Sequence, residues 1–231
     1  AVDFLAEKLS RYPETSVAGI AGPGDPLADA EATFRTLELV AARFPHLKRC
    51  LCTNGLLLPD YYRPLVAAGL DYLTVTINST DPETLARIHP VVSVRGKLYR
   101  GREAGEVLRG AHRRSLELLR SAPWRSKVNV VVVPGVNRAE IEALAGELVG
   151  RGVGFINLIP LITVPGAPFE GIDPPAQEEM CRLRRGLRER FPGLALREHC
   201  RRCRADAAGP VPGEPATPCD AAAGRMGESS A

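Results

Sequence analysis

Two pairs of closely spaced thiols carry the chemistry this sequence can do. One is Cys50-Leu51-Cys52, at the end of a β-like run from His46 to Cys52 and directly before the turn Thr53-Asn54-Gly55. The other is Cys200-Arg201-Arg202-Cys203, preceded by His199 and followed by Arg204-Ala205-Asp206. Thiolates at such spacing ligate a metal or one edge of a cluster, or act as redox partners, and flanking arginines favour the thiolate by lowering its pKa. Cys200 and Cys203 are half of a four-ligand zinc site, which His199, Cys219 or the first pair would complete. An iron–sulfur cluster can instead leave a position open for exchange, and the spacing accommodates either metal. Against both stands the plain role of free cysteine as a small buried hydrophobe.

A second group of residues suits a small molecule rather than a metal. Gly22-Pro23-Gly24-Asp25, Thr53-Asn54-Gly55, Asn78-Ser79, Pro134-Gly135-Val136-Asn137 and Asn157 with Pro160 each stand at the end of an apolar, β-branched run. Backbone amides and short polar side chains there can bind amino, carboxylate and ribose groups. Any one of these loops reads equally as an ordinary tight turn, since Gly, Pro and Asn are turn residues. Their recurrence at successive strand ends is what points to one shared site.

The elements that must position these residues alternate. Helical periodicity over about residues 1–12 is followed by a short strand at 16–21, read as buried, and a helix over about 29–44. After the thiol strand come a helix from Asp60 to Ala68, the strand Tyr72–Ile77, a short helix opened by Asp81-Pro82, and a glycine-and-basic insertion from Val91 to Arg102. A long helix to about Ser121, the strand Lys127–Val133, a helix over 138–151 and the strand Phe155–Leu161 complete the series. Five strands separated by helices imply right-handed βαβ crossovers and a parallel sheet, in sequential order. Five are too few for a closed eight-stranded barrel, so the fold class expected is α/β, a partial (β/α) barrel or a doubly wound sheet.

The expected division is a partial barrel over residues 1–165, a helix and Cys-x-x-Cys extension over 166–208, and a Pro/Gly/Ala/Ser-rich disordered tail over 209–231. The helix at about 176–190, apolar at Met180, Leu183 and Leu187, is expected to close the open side of the barrel and to deliver Cys200 and Cys203 to its loop end.

Composition narrows the partners. With 30 Lys+Arg against 27 Asp+Glu among 231 residues, the net charge of +3 is too mild to indicate nucleic acid. No apolar run is long enough to span a bilayer, and no signal peptide precedes the six cysteines, so a cytoplasmic, reducing setting is expected.

Taken in order, Ile20-Ala21-Gly22-Pro23-Gly24-Asp25-Pro26, Cys50-Leu51-Cys52-Thr53-Asn54-Gly55-Leu56, Thr74-Val75-Thr76-Ile77-Asn78, Tyr99-Arg100-Gly101-Arg102-Glu103-Ala104, Val133-Pro134-Gly135-Val136-Asn137 and His199 to Ala207 resemble the NifB family. These are the radical S-adenosylmethionine (SAM) maturases of nitrogenase cofactor. The resemblance spans about residues 10–210. It implies a partial barrel with a SAM-binding 4Fe-4S cluster that fuses two further 4Fe-4S clusters and inserts a SAM-derived carbide, making the eight-iron precursor of the iron–molybdenum cofactor. It further implies that Cys50 holds one substrate cluster and Cys200 with Cys203 the other. Gly22, Gly24, Asp25, Thr53, Asn54, Asn78 and Asn137 would lie along SAM, and carrier or scaffold proteins of nitrogenase assembly would be partners.

The sequence departs from that family where the SAM cluster is held: the CxxxCxxC motif that ligates it is absent, as are the other ligands that lie near that motif. The chain also begins within helical periodicity, as expected of a fragment lacking the first barrel strand and inactive in the radical step. Two other readings stay open at this point. An unrelated barrel lyase would need a lysine such as Lys97 or Lys127, and a non-enzymatic iron–sulfur or zinc carrier would use the same thiols without cleaving SAM.

Overall fold

The structure is a computed structural model that describes residues 1–197 apart from Pro23, Val164 and Ala167. Its strands are β1 (Val17–Ile20), β2 (Lys48–Thr53), β3 (Tyr72–Thr76), β4 (Val91–Val94), β5 (Lys97–Arg100), β6 (Arg125–Val132), β7 (Phe155–Pro160) and β8 (Ala195–Arg197). Its helices are α1 (Val2–Arg11), α2 (Ala30–Arg43), α3 (Leu58–Ala67), α4 (Pro82–Ile88), α5 (Gly101–Leu119), α6 (Ile141–Gly150) and α7 (Gln177–Arg190). Several helix starts follow directly from side chains: Asp29 Oδ1 accepts from the Ala32 amide at 3.2 Å, and Asp81 Oδ2 from the Thr84 amide at 2.8 Å with Pro82 in the first turn.

Six strands form one sheet in the order β1-β2-β3-β6-β7-β8, every pair parallel. Strand order never reverses, so right-handed crossovers place the helices on one face, as in a barrel wall rather than a doubly wound sheet. The core records this. Leu37 of α2, Leu65 of α3, Leu116 of α5, Leu148 of α6 and Leu187 of α7 share one buried cluster with Leu51, Leu73, Val75, Val128, Val130, Ile156 and Leu158 of the sheet. Fully burying each of these side chains contributes about 2 kcal/mol.

Four expectations are corrected. The first strand is an edge with Val17 and Gly19 exposed, because among the described residues only β2 pairs with it. The sheet has a sixth strand, β8, and the segment read as an insertion contains the antiparallel hairpin β4–β5. Arg95 and Gly96 turn that hairpin at φ +50° and +78°, which is the backbone a two-residue hairpin requires. Finally, α7 does not cover the open side. Met180, Leu183 and Leu187 join the common core, which makes α7 the crossover between β7 and β8 on the same face as its fellow helices.

No helix among the described residues is long and apolar enough to cross a membrane. The expected disordered tail at 209–231 lies outside the described residues.

Candidate functional site

The two faces of the sheet differ in chemistry. Along β2, Leu51 and Thr53 are buried toward the helices, so Cys50 and Cys52 project from the opposite, inner face, each half-buried. Registered neighbours in a parallel sheet share a face. Cys50 therefore sits between Gly19 and Tyr72, Cys52 is followed by Thr74 and Lys127, and Thr76 is followed by Asn129 and Asn157. Asn157 Nδ2 donates to Asn129 Oδ1 at 3.1 Å, both side chains buried. The face away from the helices is thus polar and thiol-bearing, whereas the other is hydrocarbon.

All six strands end at one rim, and the rim loops fasten one another. Asp25 Oδ1 accepts from the Leu27 amide at 2.9 Å, while its Oδ2 accepts from the Thr53 hydroxyl at 2.7 Å and the Asn54 amide at 2.6 Å. From the helix side, Ser115 Oγ donates to the Gly55 carbonyl at 3.0 Å and His112 Nε2 lies 2.8 Å from the Asn54 carbonyl, a contact that requires the proton on Nε2. Gly55 has φ +79°, and a Cβ there would stand 2.8 Å from Val75 Cγ1. Only glycine fits between the strand and His112.

Gly22, Gly24 and Asp25 border an open cleft of about 280 Å³ whose other wall is Ala32, Thr33 and Thr36 of α2. Asn78 and Asn137 meet at the centre of the rim. Asn78 Oδ1 accepts from the Val131 amide at 2.9 Å. Asn137 Oδ1 accepts from the Val133 amide, and its Nδ2 donates to the carbonyls of Asn78 and Val131, each at 2.8 Å. Both protons of the Asn137 amide are thereby used, so what this residue offers a ligand is the shape of the rim.

Glu140 was not legible as a site residue. Its carboxylate accepts from Ser79 Oγ at 2.6 Å and from Thr84 Oγ1, tying the loop after β3 to the loop after β6. The partners lie 61 and 56 positions away, so nothing in the sequence joins them. His112 was likewise missed, because a histidine in a basic helix stretch gives no sign that it turns inward to a strand-end carbonyl. Burial holds its pKa down at about 4, with the hydrogen bond to Asn54 acting in the opposite sense.

The donor set decides what the described residues can hold. Cys50 and Cys52 are thiols on a polar face, a donor type that can ligate a metal or one edge of a cluster. Among the described residues no three His, Cys, Asp or Glu side chains converge on a metal-sized site, and Cys200 and Cys203 lie outside them. A resident SAM cluster does not fit this chain, whose six cysteines contain no CxxxCxxC.

Residues 5–148 match the family model of the radical SAM superfamily. The chain is 41% identical over 90% of its length to the FeMo cofactor biosynthesis protein NifB of Klebsiella pneumoniae, covering 45% of that protein. It is 40% identical over 87% of its length to NifB of Frankia alni, covering 40%, and 34% identical over 90% to NifB of Chlorobaculum tepidum, covering 49%. The chain therefore spans less than half the length of these curated relatives. The one-face helices, the sequential parallel sheet and the family match together lead to a single assignment: the chain belongs to the radical SAM superfamily.

Proposed function

We propose that this chain is the barrel-wall segment of a NifB-type nitrogenase cofactor maturase and that it holds iron–sulfur clusters as substrates against its polar inner face. Cys50, with Cys52 beside it, carries one 4Fe-4S cluster, and Cys200 with Cys203 carries the other. In the whole protein these two clusters are fused and a SAM-derived carbon is inserted as carbide, giving an eight-iron precursor that passes to carrier or scaffold proteins of nitrogenase assembly in the cytoplasm. The observation that carries the reading is the placement of both β2 thiols on the inner face, in a chain about 40% identical to NifB proteins.

Gly22, Gly24, Asp25, Thr53, Asn54, Asn78 and Asn137 shape the rim along which SAM lies. Asp25, Thr53 and Asn54 do so as one hydrogen-bonded unit, and Asn78 with Asn137 as another. No step of SAM cleavage is assigned to this chain's residues, because its six cysteines include no three at the CxxxCxxC spacing that such a cluster needs. That same observation favours a second reading, in which the chain holds clusters for a partner and is not itself a radical enzyme.

Anaerobic reconstitution with iron and sulfide tests both. A brown protein is expected, with partial loss of iron and visible absorbance in the C200A/C203A double variant and further loss when Cys50 is changed as well. Iron content indifferent to all of these changes overturns the cluster reading. Deoxyadenosine released from SAM by a colour-competent whole protein, but not by one lacking its SAM-cluster thiolates, separates maturase from carrier.

A further inference from the structure

Resting on the proposal that clusters enter and leave by the rim beside the thiol strand, we infer that the β4–β5 hairpin is the docking surface for an acidic partner protein at that rim. The hairpin sits where such a partner is needed. Its turn is pinned by Arg95, whose Nη2 lies 2.8 Å from Asp60 Oδ1 in the first turn of α3, the helix that follows Thr53-Asn54-Gly55. Its second strand runs directly into α5, whose His112 and Ser115 hold the Asn54 and Gly55 carbonyls. Both ends of the hairpin are therefore braced against the loop by which β2 leaves the sheet.

The two faces of the hairpin differ. Cross-strand partners share a face, so Val92 stands with Tyr99 and Val94 with Lys97. This side is turned inward: Val92 is buried, and Lys97 Nζ lies 4.4 Å from the centre of the Tyr99 ring. On the other side Val91 pairs with Arg100 and Ser93 with Leu98, and all four are exposed. Val91 and Leu98, 43% and 57% exposed, stand diagonally across the ladder. Among the described residues the other exposed large apolar side chains lie singly, each on a separate element or loop, as Leu39 does on α2 and Val66 on α3. Single exposed apolar residues need no explanation, whereas a pair on one face is the start of a contact surface.

Charge selects the occupant. From Val91 to Arg100 the chain carries Arg95, Lys97 and Arg100 and no carboxylate. Arg95 is spent on Asp60 and Lys97 has Glu103 at 4.0 Å, whereas Arg100, on the apolar side, has no ion-pair partner among the described residues. A guanidinium beside apolar side chains offers a carboxylate two parallel hydrogen bonds next to surface that gains by leaving water. A second copy of this chain would bring the same cations against themselves, and the segment from His199 to Arg204 is itself basic. Nucleic acid would set Val91 and Leu98 against phosphate. A protein that interleaves carboxylates with apolar residues matches both features. Among the described residues β4 and β5 pair only with each other, which leaves outer edges to which such a strand can add.

The test uses the full chain and two short labelled peptides, one alternating glutamate with valine and the other lysine with valine, read by fluorescence anisotropy. The glutamate peptide is expected to bind and the lysine peptide not, with affinity falling as salt is added. Leu98→Asp/Arg100→Glu is expected to weaken binding about tenfold, Arg100→Lys to keep most of it, and Leu39→Asp on α2 to leave it unchanged. Arg100→Ala and Leu98→Ser serve if the double variant does not fold. No binding by the parent chain, or equal binding by parent and hairpin variants, overturns the inference. A single-stranded oligonucleotide that outcompetes the glutamate peptide at the hairpin also overturns it, as does a dimer of the chain in sedimentation that the hairpin variants dissociate. Iron content after reconstitution is read separately: iron retained in Cys50→Ala/Cys52→Ala removes the thiol site on which the inference rests, whereas iron lost there with peptide binding indifferent to the hairpin removes the docking surface alone.

Discussion

Asn137 donates through Nδ2 to the backbone carbonyl of Asn78 at 2.8 Å, joining the loop after β6 to the end of β3 at the middle of the rim. With its bonds to Val131 and Val133, the side chain completes three hydrogen bonds while fully buried. Asn137→Ala leaves a buried amide and two buried carbonyls without this partner, at about 1–3 kcal/mol for each group left unsatisfied. The expected loss is about 3 kcal/mol in denaturant unfolding. Asn137→Asp is expected to be no better, because a carboxylate cannot donate to the two carbonyls.

The alternation of strands and helices was legible because long β-branched runs and amphipathic helices each show their period. What escaped notice was short or contextual. β8 is three residues after a Pro-Gly turn, too few for a period to show, and it is a strand because β7 offers it an edge. The hairpin was hidden by its charge, although Val91 to Val94 and Lys97 to Arg100 flank an Arg-Gly turn with the right two-residue spacing. At the site, the strand-end Gly and Asn residues were visible as loop residues. That Asn78 and Asn137 spend their polar groups on backbone, and that His112 and Glu140 reach across 58 and 56 or more positions to do the same, are facts of packing that no local pattern encodes.

Asp25 fixes the thiol strand's exit loop from the β1 side, through three hydrogen bonds shared between Leu27, Thr53 and Asn54. Asp25→Ala is expected to cost about 2 kcal/mol, since bonds to a charged acceptor contribute roughly 1.5–3 kcal/mol each but this carboxylate is only half-buried. Amide exchange at Leu27 and Asn54 is expected to accelerate while β6 and β7 amides stay protected. Uniform acceleration across the sheet would show a global rather than a local role.

Gly55→Ala tests the tight passage beneath that loop. The positive φ alone costs an alanine about 1–2 kcal/mol, and a Cβ placed 2.8 Å from Val75 Cγ1 and 3.2 Å from His112 Cδ2 adds overpacking of similar size. A loss of about 2–4 kcal/mol in unfolding free energy is expected. Gly135→Ala is the control, because its φ of +68° is also positive but open space surrounds the Cβ, so its loss should be confined to the conformational part.

His112 ties the acid limb of stability to the burial of one imidazole. Burial lowers its pKa from 6.5 to about 4, so the folded protein binds this proton less readily than the unfolded chain. The stabilisation is therefore fully present above pH 6.5 and is lost progressively as pH falls from there to about 4, by roughly 3 kcal/mol in all. His89, whose pKa burial also lowers, adds to the loss in the same direction. Glutamine at position 112 can donate to the Asn54 carbonyl from its side-chain amide and does not titrate. His112→Gln is thus expected to unfold at nearly the same denaturant concentration at about pH 7 and about pH 5, where the parent chain has weakened, with His89 contributing to what slope remains. An acid limb of the parent's full steepness in the glutamine variant would show that the proton taken up on unfolding belongs elsewhere.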